Sequence, residues 1–258
     1  VSAGANTPSV RAVVSSMSVY NIFRPPNMDA AKHMAVGKCN GRQMEERWDV
    51  ETGVFADAIL RQCGRVGHPS DVLDFGCGPG RLAKVLLAKD PNREKIRCYN
   101  ATDISMPMRR MALRNCGHDG RFNLTDGALL DRPGIGPYMD VIIVSFVLQH
   151  MPAIRLNPAI KWLWSHSTMQ TRLIFINSEA RLAISTQGFV DDRSLGVDVD
   201  NELSRGFSFV EDLLTSEEAS IPVVHSLLEG PLKHRALVLG ARQDWLYSTG
   251  MDNTEFLT

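Results

Sequence analysis

Short apolar runs and helical patterns alternate along the middle of the chain, between about residues 70 and 180. Runs that are typical of buried strands cover residues 71–75, 96–102, 121–125, 139–146 and 172–177. Between them, apolar positions recur at helical spacing over residues 81–89, 107–116 and 158–167. This alternation predicts a mostly parallel sheet with helices packed on both of its faces.

The predicted sheet has seven strands and ends in an antiparallel pair. Residues 209–218 are predicted to form a helix, and residues 221–228 and 235–241 are predicted to form the last two strands. The predicted fold class is therefore α/β, with a doubly wound sheet that is mostly parallel and has an antiparallel last strand.

The regions on either side of this sheet lack the regular alternation and suggest how the chain is divided. Residues 1–47 are predicted to be an N-terminal arm and helical lid, because residues 1–30 carry three prolines with little periodicity and the possible helix over 30–47 is broken near Gly37–Gly41. The stretch Glu45–Gln62 that follows has an imperfect helical face. Residues 48–243 form the predicted main domain. Within it, residues 180–210 have no clear period and are predicted to be a lid over the substrate. Residues 244–258 are predicted to be a loose tail.

Composition and charge narrow the classes of function. At 258 residues, one α/β domain with extensions is the expected size. A formal net charge of −1 gives no global basic field for nucleic acid or an anionic membrane. The five cysteines show no zinc-ligand spacing, so no metal site is predicted, and reduced thiols in the cytoplasm are favoured. The arm has a composition that also allows organelle import.

The end of the first apolar run carries the most specific chemical pattern. Asp74 closes the run, and Gly76, Gly78 and Gly80 follow before a helical pattern begins. Glycines permit unusual backbone angles and let a ligand approach the main chain, and helix N-termini attract negative charge. A dinucleotide loop needs G-x-G-x-x-G, whose third glycine would fall where the chain has Arg81. The spacing therefore disfavours an NAD(P) oxidoreductase.

The pattern D-x-G-x-G-x-G from Asp74 to Gly80 resembles motif I of the class I S-adenosylmethionine (SAM)-dependent methyltransferases. The resemblance covers about residues 50–243 and implies the class I methyltransferase fold, with SAM as cofactor and S-adenosylhomocysteine (SAH) as product. In that family the loop passes beneath the methionine part of SAM. The implied cofactor-binding residues in and beside the loop are Asp74, Gly76, Cys77, Gly78, Gly80 and Arg81.

Several of these residues have a specific implied role and an alternative one. Asp74 is expected to orient the loop or to meet the SAM ammonium group, which the Gly76 carbonyl also meets. Cys77 is expected to serve as a small side chain rather than as a nucleophile. Arg81 is expected either to reach the SAM carboxylate or to be a solvated helix residue.

Two more strand ends supply the rest of the implied cofactor site. Asp103 ends the second strand, where the family places the acid that accepts hydrogen bonds from both ribose hydroxyls; the alternative is a helix-capping acid. Ile104 would pack against the adenine. Asp126, with Gly127 or Ala128, would bind the adenine ring and its amino group, unless Asp126-Gly127 is only a turn.

The fourth strand leads into the acceptor side of the expected site. Ser145 would lie near the methionine end of SAM, and the S-x-x-L-Q-H stretch that ends in Gln149 and His150 resembles many small-molecule methyltransferases. His150 is predicted to be the catalytic base, or else a histidine that shapes the loop. Glu179 and Tyr20 are further candidates for substrate binding.

These expectations lead to one predicted function and two alternatives. The predicted function is methyl transfer from SAM to an oxygen or nitrogen atom of a small molecule, with no membrane partner and nucleic acid disfavoured. The first alternative is an RNA cap or other nucleic-acid methyltransferase cut from a larger polypeptide, since the chain begins with Val1 rather than Met. The second is a non-catalytic partner subunit with the same fold.

Overall fold

A computed structural model of the chain contains a main sheet of seven strands. The structure describes residues 24–36, 41–126, 137–151, 153–178, 182–185, 188–191, 199–229 and 234–242. The main-sheet strands are β1 Ser70–Phe75, β2 Ile96–Asp103, β3 Phe122–Asp126, β4 Met139–Ser145, β5 Ser167–Ser178, β8 Phe207–Asp212 and β9 His234–Ala241. A separate antiparallel pair consists of β6 Leu182–Ser185 and β7 Gly188–Asp191.

The strand order of the main sheet is β3-β2-β1-β4-β5-β9-β8. The pairs from β3 to β5 are all parallel, and β9 runs antiparallel to both β5 and β8. The predicted fold class, a mostly parallel α/β sheet whose last strand is antiparallel, is therefore confirmed.

The register of the parallel strands brings the predicted cofactor residues to one edge of the sheet. Asp74 of β1 is level with Ala101 of β2 and with Ile143 of β4. Asp103 at the end of β2 is level with Asp126 at the end of β3. Because all four strands point the same way, their carboxyl ends share one edge, which is where ligands bind in open α/β sheets.

Helices cover both faces of the sheet and create two buried cores. The helices are α1 Met28–Val36, α2 Gly41–Glu46, α3 Thr52–Gly64, α4 Arg81–Lys89, α5 Met106–Cys116, α6 Ala153–Ser165, α7 Val199–Gly206, α8 Ser216–Ser220 and α9 Pro222–Leu228. Side chains of β1 alternate between the two cores, with Val72 in the core beneath α3, α4 and α5 and Leu73 in the core beneath α6 and α7.

The helical segment before β1 contains a turn of π-helix. Helix α2 continues directly into a π-helical turn over Arg47–Glu51, and that turn continues directly into α3. The wider turn shifts the phase of the side chains, which explains the imperfect apolar pattern of this region in the sequence. The predicted boundary between arm and domain at residue 47 falls inside this uninterrupted run, and the division itself remains a prediction.

The predicted helix over residues 209–218 is wrong. Residues 207–212 instead form the edge strand β8, and Phe209 and Val210 are exposed on it. The helix starts only at Ser216, because Thr215 accepts a hydrogen bond from the Glu218 amide and the Glu218 side chain accepts one from the Thr215 amide. The last four residues of the predicted lid over residues 180–210 therefore belong to the sheet, and the lid itself remains a prediction.

The predicted strand over residues 221–228 is also wrong, because Pro222 begins helix α9 there. The adjacent valines favour a strand, but Val224 and Leu227 are three residues apart and bury one helical face. Strand β9 therefore pairs with β5 and β8 rather than with a hairpin partner at 221–228.

Several predicted residues lie outside the part of the chain that the structure describes, namely Tyr20, Gly127, Ala128 and Glu179. Within the described part, no helix is long and apolar enough to cross a membrane.

Candidate functional site

The glycine loop after β1 is held by the end of β2. The amides of Gly76 and Cys77 both donate to the Thr102 carbonyl, at 2.8 and 2.9 Å. Gly76, Gly78 and Gly80 all have positive φ angles, of 81, 55 and 79°. Side chains rarely adopt such angles, so the backbone of the loop favours glycine at all three positions.

The three glycines differ in what surrounds them. A Cβ atom on Gly76 would lie 2.4 Å from Cγ2 of Val147, and one on Gly80 would lie 3.0 Å from Sγ of Cys116. A Cβ atom on Gly78 would meet nothing within 4 Å among the described residues. The outer glycines are therefore needed for close packing, whereas the middle one faces open space that a ligand can enter.

Asp103 lies directly beside the middle glycine. One carboxylate oxygen accepts a hydrogen bond from the Gly78 amide at 2.9 Å, and the other accepts one from the Ser105 amide at 2.7 Å. Burial raises the pKa of Asp103, while these two backbone donors favour its charged form. The loop and the end of β2 thus share one carboxylate, at the position predicted for ribose binding.

The residues predicted to bind adenine flank Asp103. Ile104, the residue after Asp103, is 48% exposed, although isoleucine is a large apolar residue that is usually buried. The Arg109 guanidinium donates to the Asp103 carbonyl at 2.6 Å and so fixes the turn that carries Ile104. Asp126 lies one strand further along, paired with Asp103 in the sheet. The geometry brings all three strand ends together along one edge.

Asp74 lies beneath the loop rather than on its surface. It is only 2% exposed, and one carboxylate oxygen accepts a hydrogen bond from the Tyr99 hydroxyl at 2.8 Å. Burial raises the pKa of Asp74 to about 7, because removal from water disfavours the charged form. The hydrogen bond of Asp74 goes to Tyr99 and not to a loop amide, so its predicted role in orienting the loop and its contact with the SAM ammonium both remain predictions.

Two buried thiols also support the loop from below. Cys77 donates to the Gly78 carbonyl and Cys116 donates to the Gly80 carbonyl, each at 3.6 Å. Burial raises the pKa of Cys77 well above its ordinary value and that of Cys116 to about 12. A thiol that stays protonated is a poor nucleophile, which agrees with the small-side-chain role predicted for Cys77.

Arg81 faces the N-terminal helices. Its guanidinium donates to the Glu51 carboxylate at 2.9 Å, to the Thr52 hydroxyl and to the Arg47 carbonyl. It also lies 5.3 Å from the centre of the Trp48 ring, within the range of a cation–π contact. These contacts join the π-helical turn to the first turn of α4, so Arg81 is a buried ion-pair partner rather than a solvated helix residue.

The end of β4 carries a strained residue that the sequence does not reveal. Phe146, which follows the half-buried Ser145, has a φ angle of 57°, in the left-handed region that bulky side chains avoid. Its amide donates to the Ile176 carbonyl of β5 at 2.6 Å. The next residue, Val147, contacts Gly76, so the strained turn brings the acceptor side against the loop.

Gln149 and His150 lie in a 3₁₀ turn over Leu148–His150. The Gln149 amide donates to Oδ1 of Asn177 at 3.2 Å, which ties the turn to the end of β5. Nε2 of the Gln149 side chain lies 3.1 Å from Nε2 of His150, and Gln149 is only 4% exposed. The structure therefore brings Ser145, Gln149 and His150 together on the acceptor side, with Gln149 packed inside the protein.

The central part of the chain matches a known family. Residues 72–166, from β1 through α6, match the family model described as a methyltransferase domain. The chain contains a methyltransferase domain. This match confirms the resemblance to the class I SAM-dependent methyltransferases, which rests on the glycine loop in the sequence.

Solved structures share the fold of this methyltransferase domain at low sequence identity. The N-methyltransferase NodS of Bradyrhizobium japonicum, in complex with SAH, has a TM-score of 0.54 and 14% identity, over 87% of this chain and 98% of that chain. The magnesium protoporphyrin IX methyltransferase ChlM of Synechocystis, with bound SAH, has a TM-score of 0.56 and 17% identity, over 88% of this chain and all of the other. No curated protein sequence matches the chain.

Four residues around the methyltransferase site are not among those predicted from the sequence, namely Glu51, Tyr99, Asn177 and His234. Tyr99 could have been found, because it lies on the same face of β2 as Ala101, level with the buried part of β1. Asn177 and His234 depend on contacts between segments far apart in the sequence, and the contact of Glu51 with Arg81 spans 30 residues.

Proposed function

We propose that the methyltransferase domain transfers a methyl group from SAM to an oxygen or nitrogen atom of a small molecule and releases SAH. The observation that carries this proposal is the open space at Gly78 beside the Asp103 carboxylate. A vicinal diol can donate two hydrogen bonds to one carboxylate, which suits the ribose of an adenosine cofactor. NodS and ChlM, whose crystals contain SAH, share the fold of this chain.

The cofactor would lie along the carboxyl ends of β1, β2 and β3. In this proposal Asp103 accepts from the ribose hydroxyls, Ile104 covers the adenine and Asp126 binds its amino group. Exposed Ile104 gains burial when the adenine packs on it, and burying such a side chain fully stabilises by about 1.5–3 kcal/mol. Asp74, Gly76, Cys77, Gly78 and Gly80 would shape the loop beneath the methionine part.

The acceptor would lie in front of the ends of β4 and β5. When bound, SAM supplies a methyl group that its positive sulfur has already activated for in-line displacement. The protein then has mainly to hold the acceptor atom in line, and such positioning can supply about 7–11 kcal/mol of the barrier reduction. Ser145 and His150 lie at this end of the site, and the role of His150 as a base remains a prediction.

The alternatives predict different binding partners. A nucleic-acid methyltransferase would need a local basic surface, since the net charge of −1 offers no general attraction to phosphates. A non-catalytic subunit would keep the fold without using the cofactor site. The cytoplasmic location also remains a prediction, and the four cysteines in the described part of the chain are all free.

Calorimetric titration with SAH tests the cofactor site. The wild-type protein should bind SAH, and Asp103→Ala should weaken binding about tenfold to 100-fold, because hydrogen bonds to a charged group contribute about 1.5–3 kcal/mol. Asp57→Ala is the matched control, since Asp57 is an exposed acid on α3 that pairs only with Lys89 among the described residues. Absence of SAH binding, or an unchanged affinity for Asp103→Ala, would overturn the proposal.

Methyl transfer itself is tested with SAM that carries a tritiated methyl group. A panel of phenols, carboxylic acids and amines should include an acceptor that gains the label, while a mixed RNA should gain none. Electrophoretic retardation of RNA at moderate salt, together with label in the RNA, would instead support the nucleic-acid alternative.

A further inference from the structure

His234 occupies the acceptor side of the site and has no predicted role in the sequence. It is the first residue of β9 and pairs with Ser178, the last residue of β5. Because β9 is antiparallel to β5, its first residue lies at the same edge of the sheet as the carboxyl ends of β4 and β5. The His234 ring contacts the ring of Phe146 edge to face, with 5.4 Å between the centroids. The histidine therefore lies against the strained turn that leads to Val147 and Gly76.

One hydrogen bond fixes which ring nitrogen of His234 carries the proton. Nδ1 lies 3.1 Å from the Leu227 carbonyl oxygen. A carbonyl oxygen can only accept, so Nδ1 must be the protonated nitrogen and must donate. Burial lowers the pKa of His234, which keeps the ring neutral near pH 7. In a neutral ring that is protonated at Nδ1, Nε2 has a free lone pair.

The charged groups nearest to His234 balance one another. Arg47 lowers its pKa and Glu51 raises it, and both lie on the π-helical turn, where they form an ion pair at 2.9 Å. Among the described residues, Nε2 of His234 has no hydrogen-bond partner, and Nδ1 has only the Leu227 carbonyl. Nε2 is thus available to a molecule that enters the acceptor side.

His150 differs from His234 in the hydrogen bonding of its ring nitrogens. Its Nε2 lies 3.1 Å from the amide nitrogen of the Gln149 side chain, which is a donor. The lone pair of His150 Nε2 is therefore already used inside the protein. Of the two histidines on the acceptor side, only His234 combines a fixed donor at one nitrogen with a lone pair at the other.

We propose that His234 is a catalytic residue whose Nε2 takes the proton of the methyl acceptor. This inference rests on the proposed methyl transfer. As the acceptor oxygen or nitrogen forms its bond to the methyl carbon, the bond between that carbon and sulfur breaks and its electron pair stays on sulfur. The acceptor proton passes to Nε2, and the imidazolium then releases a proton to water. The acceptor class is one that carries an O–H or N–H bond, and the Leu227 carbonyl stabilises the imidazolium through Nδ1–H.

Two amide variants, each of which keeps the position of one ring nitrogen, distinguish a catalytic role of His234 from a structural one. The side-chain nitrogen of His234→Asn can replace Nδ1 and keep the bond to Leu227, but the variant has nothing at the Nε2 position. The amide of His234→Gln reaches the Nε2 position but loses the Leu227 bond, and an amide is not a base. A catalytic role predicts that both variants lose kcat by about 100-fold or more, with the SAH affinity unchanged. A structural role predicts that His234→Asn keeps full activity.

A control variant and a measurement that needs no methyl acceptor complete the test. His225→Asn alters an exposed histidine on α9 and should change neither kcat nor SAH affinity. The nitrogen resonances of isotope-labelled histidine, assigned by comparison with His234→Asn, report the tautomer without any acceptor. Protonation at Nδ1 and a lone pair at Nε2 support the inference, and protonation at Nε2 overturns it. Failure of SAH to bind in calorimetry would overturn the proposed function while leaving the tautomer result intact, so the two failures are distinguishable.

Discussion

The proposed cofactor side and the proposed acceptor side of the site are built in different ways. On the cofactor side, three consecutive strands end level with one another, and the Gly78 amide of the loop donates to the carboxylate of Asp103 at the end of the next strand. On the acceptor side, a strained turn after β4, the end of β5 and the start of β9 meet, although β9 begins more than fifty residues after β5 ends. The first side is fixed by local backbone geometry, and the second is fixed by long-range packing.

The difference agrees with what each side would have to recognise. An adenosine cofactor is the same in every turnover, so main-chain donors and a few acids can be dedicated to it. An acceptor differs between enzymes, and side chains carried by separate elements can be exchanged without disturbing the loop. NodS and ChlM share the fold with this chain at identities of only 14% and 17%.

The π-helical turn joins the two sides, so removal of Glu51 should have the largest effect. Glu51 is fully buried and accepts from both Arg47 and Arg81, each at 2.9 Å. Glu51→Ala leaves the buried Arg81 cation unpaired and should lower the free energy of unfolding by about 3–5 kcal/mol. Denaturant titration measures this loss. Glu51→Gln keeps the shape but can accept from only one of the two arginines, so it should lose less than Glu51→Ala. A loss below 1 kcal/mol for Glu51→Ala would show that the two sides are not joined here.

The buried carboxyl of Asp74 should make the cofactor side sensitive to pH. In the folded protein its pKa is about 7, against 3.8 for the free side chain, so the native state holds a proton that the unfolded state has released. The contribution of Asp74 to stability is therefore fully present below about pH 4, falls as the pH rises to about 7 and then levels off. The total loss is up to about 4 kcal/mol, at 1.36 kcal/mol for each unit of pKa difference.

Asp74→Asn is the variant that isolates this effect. The amide cannot ionise but can still accept from Tyr99, so the fall in melting temperature between pH 5 and 7 should shrink relative to the wild type. An unchanged pH profile would assign the sensitivity to other groups.

Asp103, His234 and Phe146 show which parts of the site can be predicted from the sequence and which cannot. Asp103 and the loop glycines could be found because their roles follow from short spacings and from parallel strands that end together. His234 could not be found, because its position depends on the pairing of β9 with β5, and the sequence favours a partner for β9 at residues 221–228. The valines there satisfy the pattern of a strand as well as that of a helix, and only tertiary packing selects the helix. The strain at Phe146 likewise has no local signature, since phenylalanine is not a residue that favours positive φ.

Gly76→Ala should produce a smaller loss of stability than Glu51→Ala, but it should affect both sides at once. The added Cβ would lie 2.4 Å from Val147 at a φ angle of 81°, so it combines overpacking with backbone strain. The expected loss is about 2–4 kcal/mol. Gly53→Ala is the matched control, because Gly53 lies in helix α3 with open space around it and alanine should stabilise the helix by about 0.5–1 kcal/mol. Thermal melting compares the two variants, and equal melting temperatures would refute the close packing between loop and turn.

Gly78→Ala should have the smallest effect on stability and should act on the cofactor side alone. Its φ angle of 55° costs an alanine about 1–2 kcal/mol, and no described atom lies within 4 Å of the added Cβ. The variant should therefore fold, yet its methyl group would stand in the space where the cofactor approaches the main chain. SAH affinity should fall by more than tenfold while the tautomer of His234 stays the same. If Gly78→Ala bound SAH as tightly as the wild type, the cofactor would not approach the main chain through the open space at Gly78. The cofactor side would then have to lie at another part of the sheet edge.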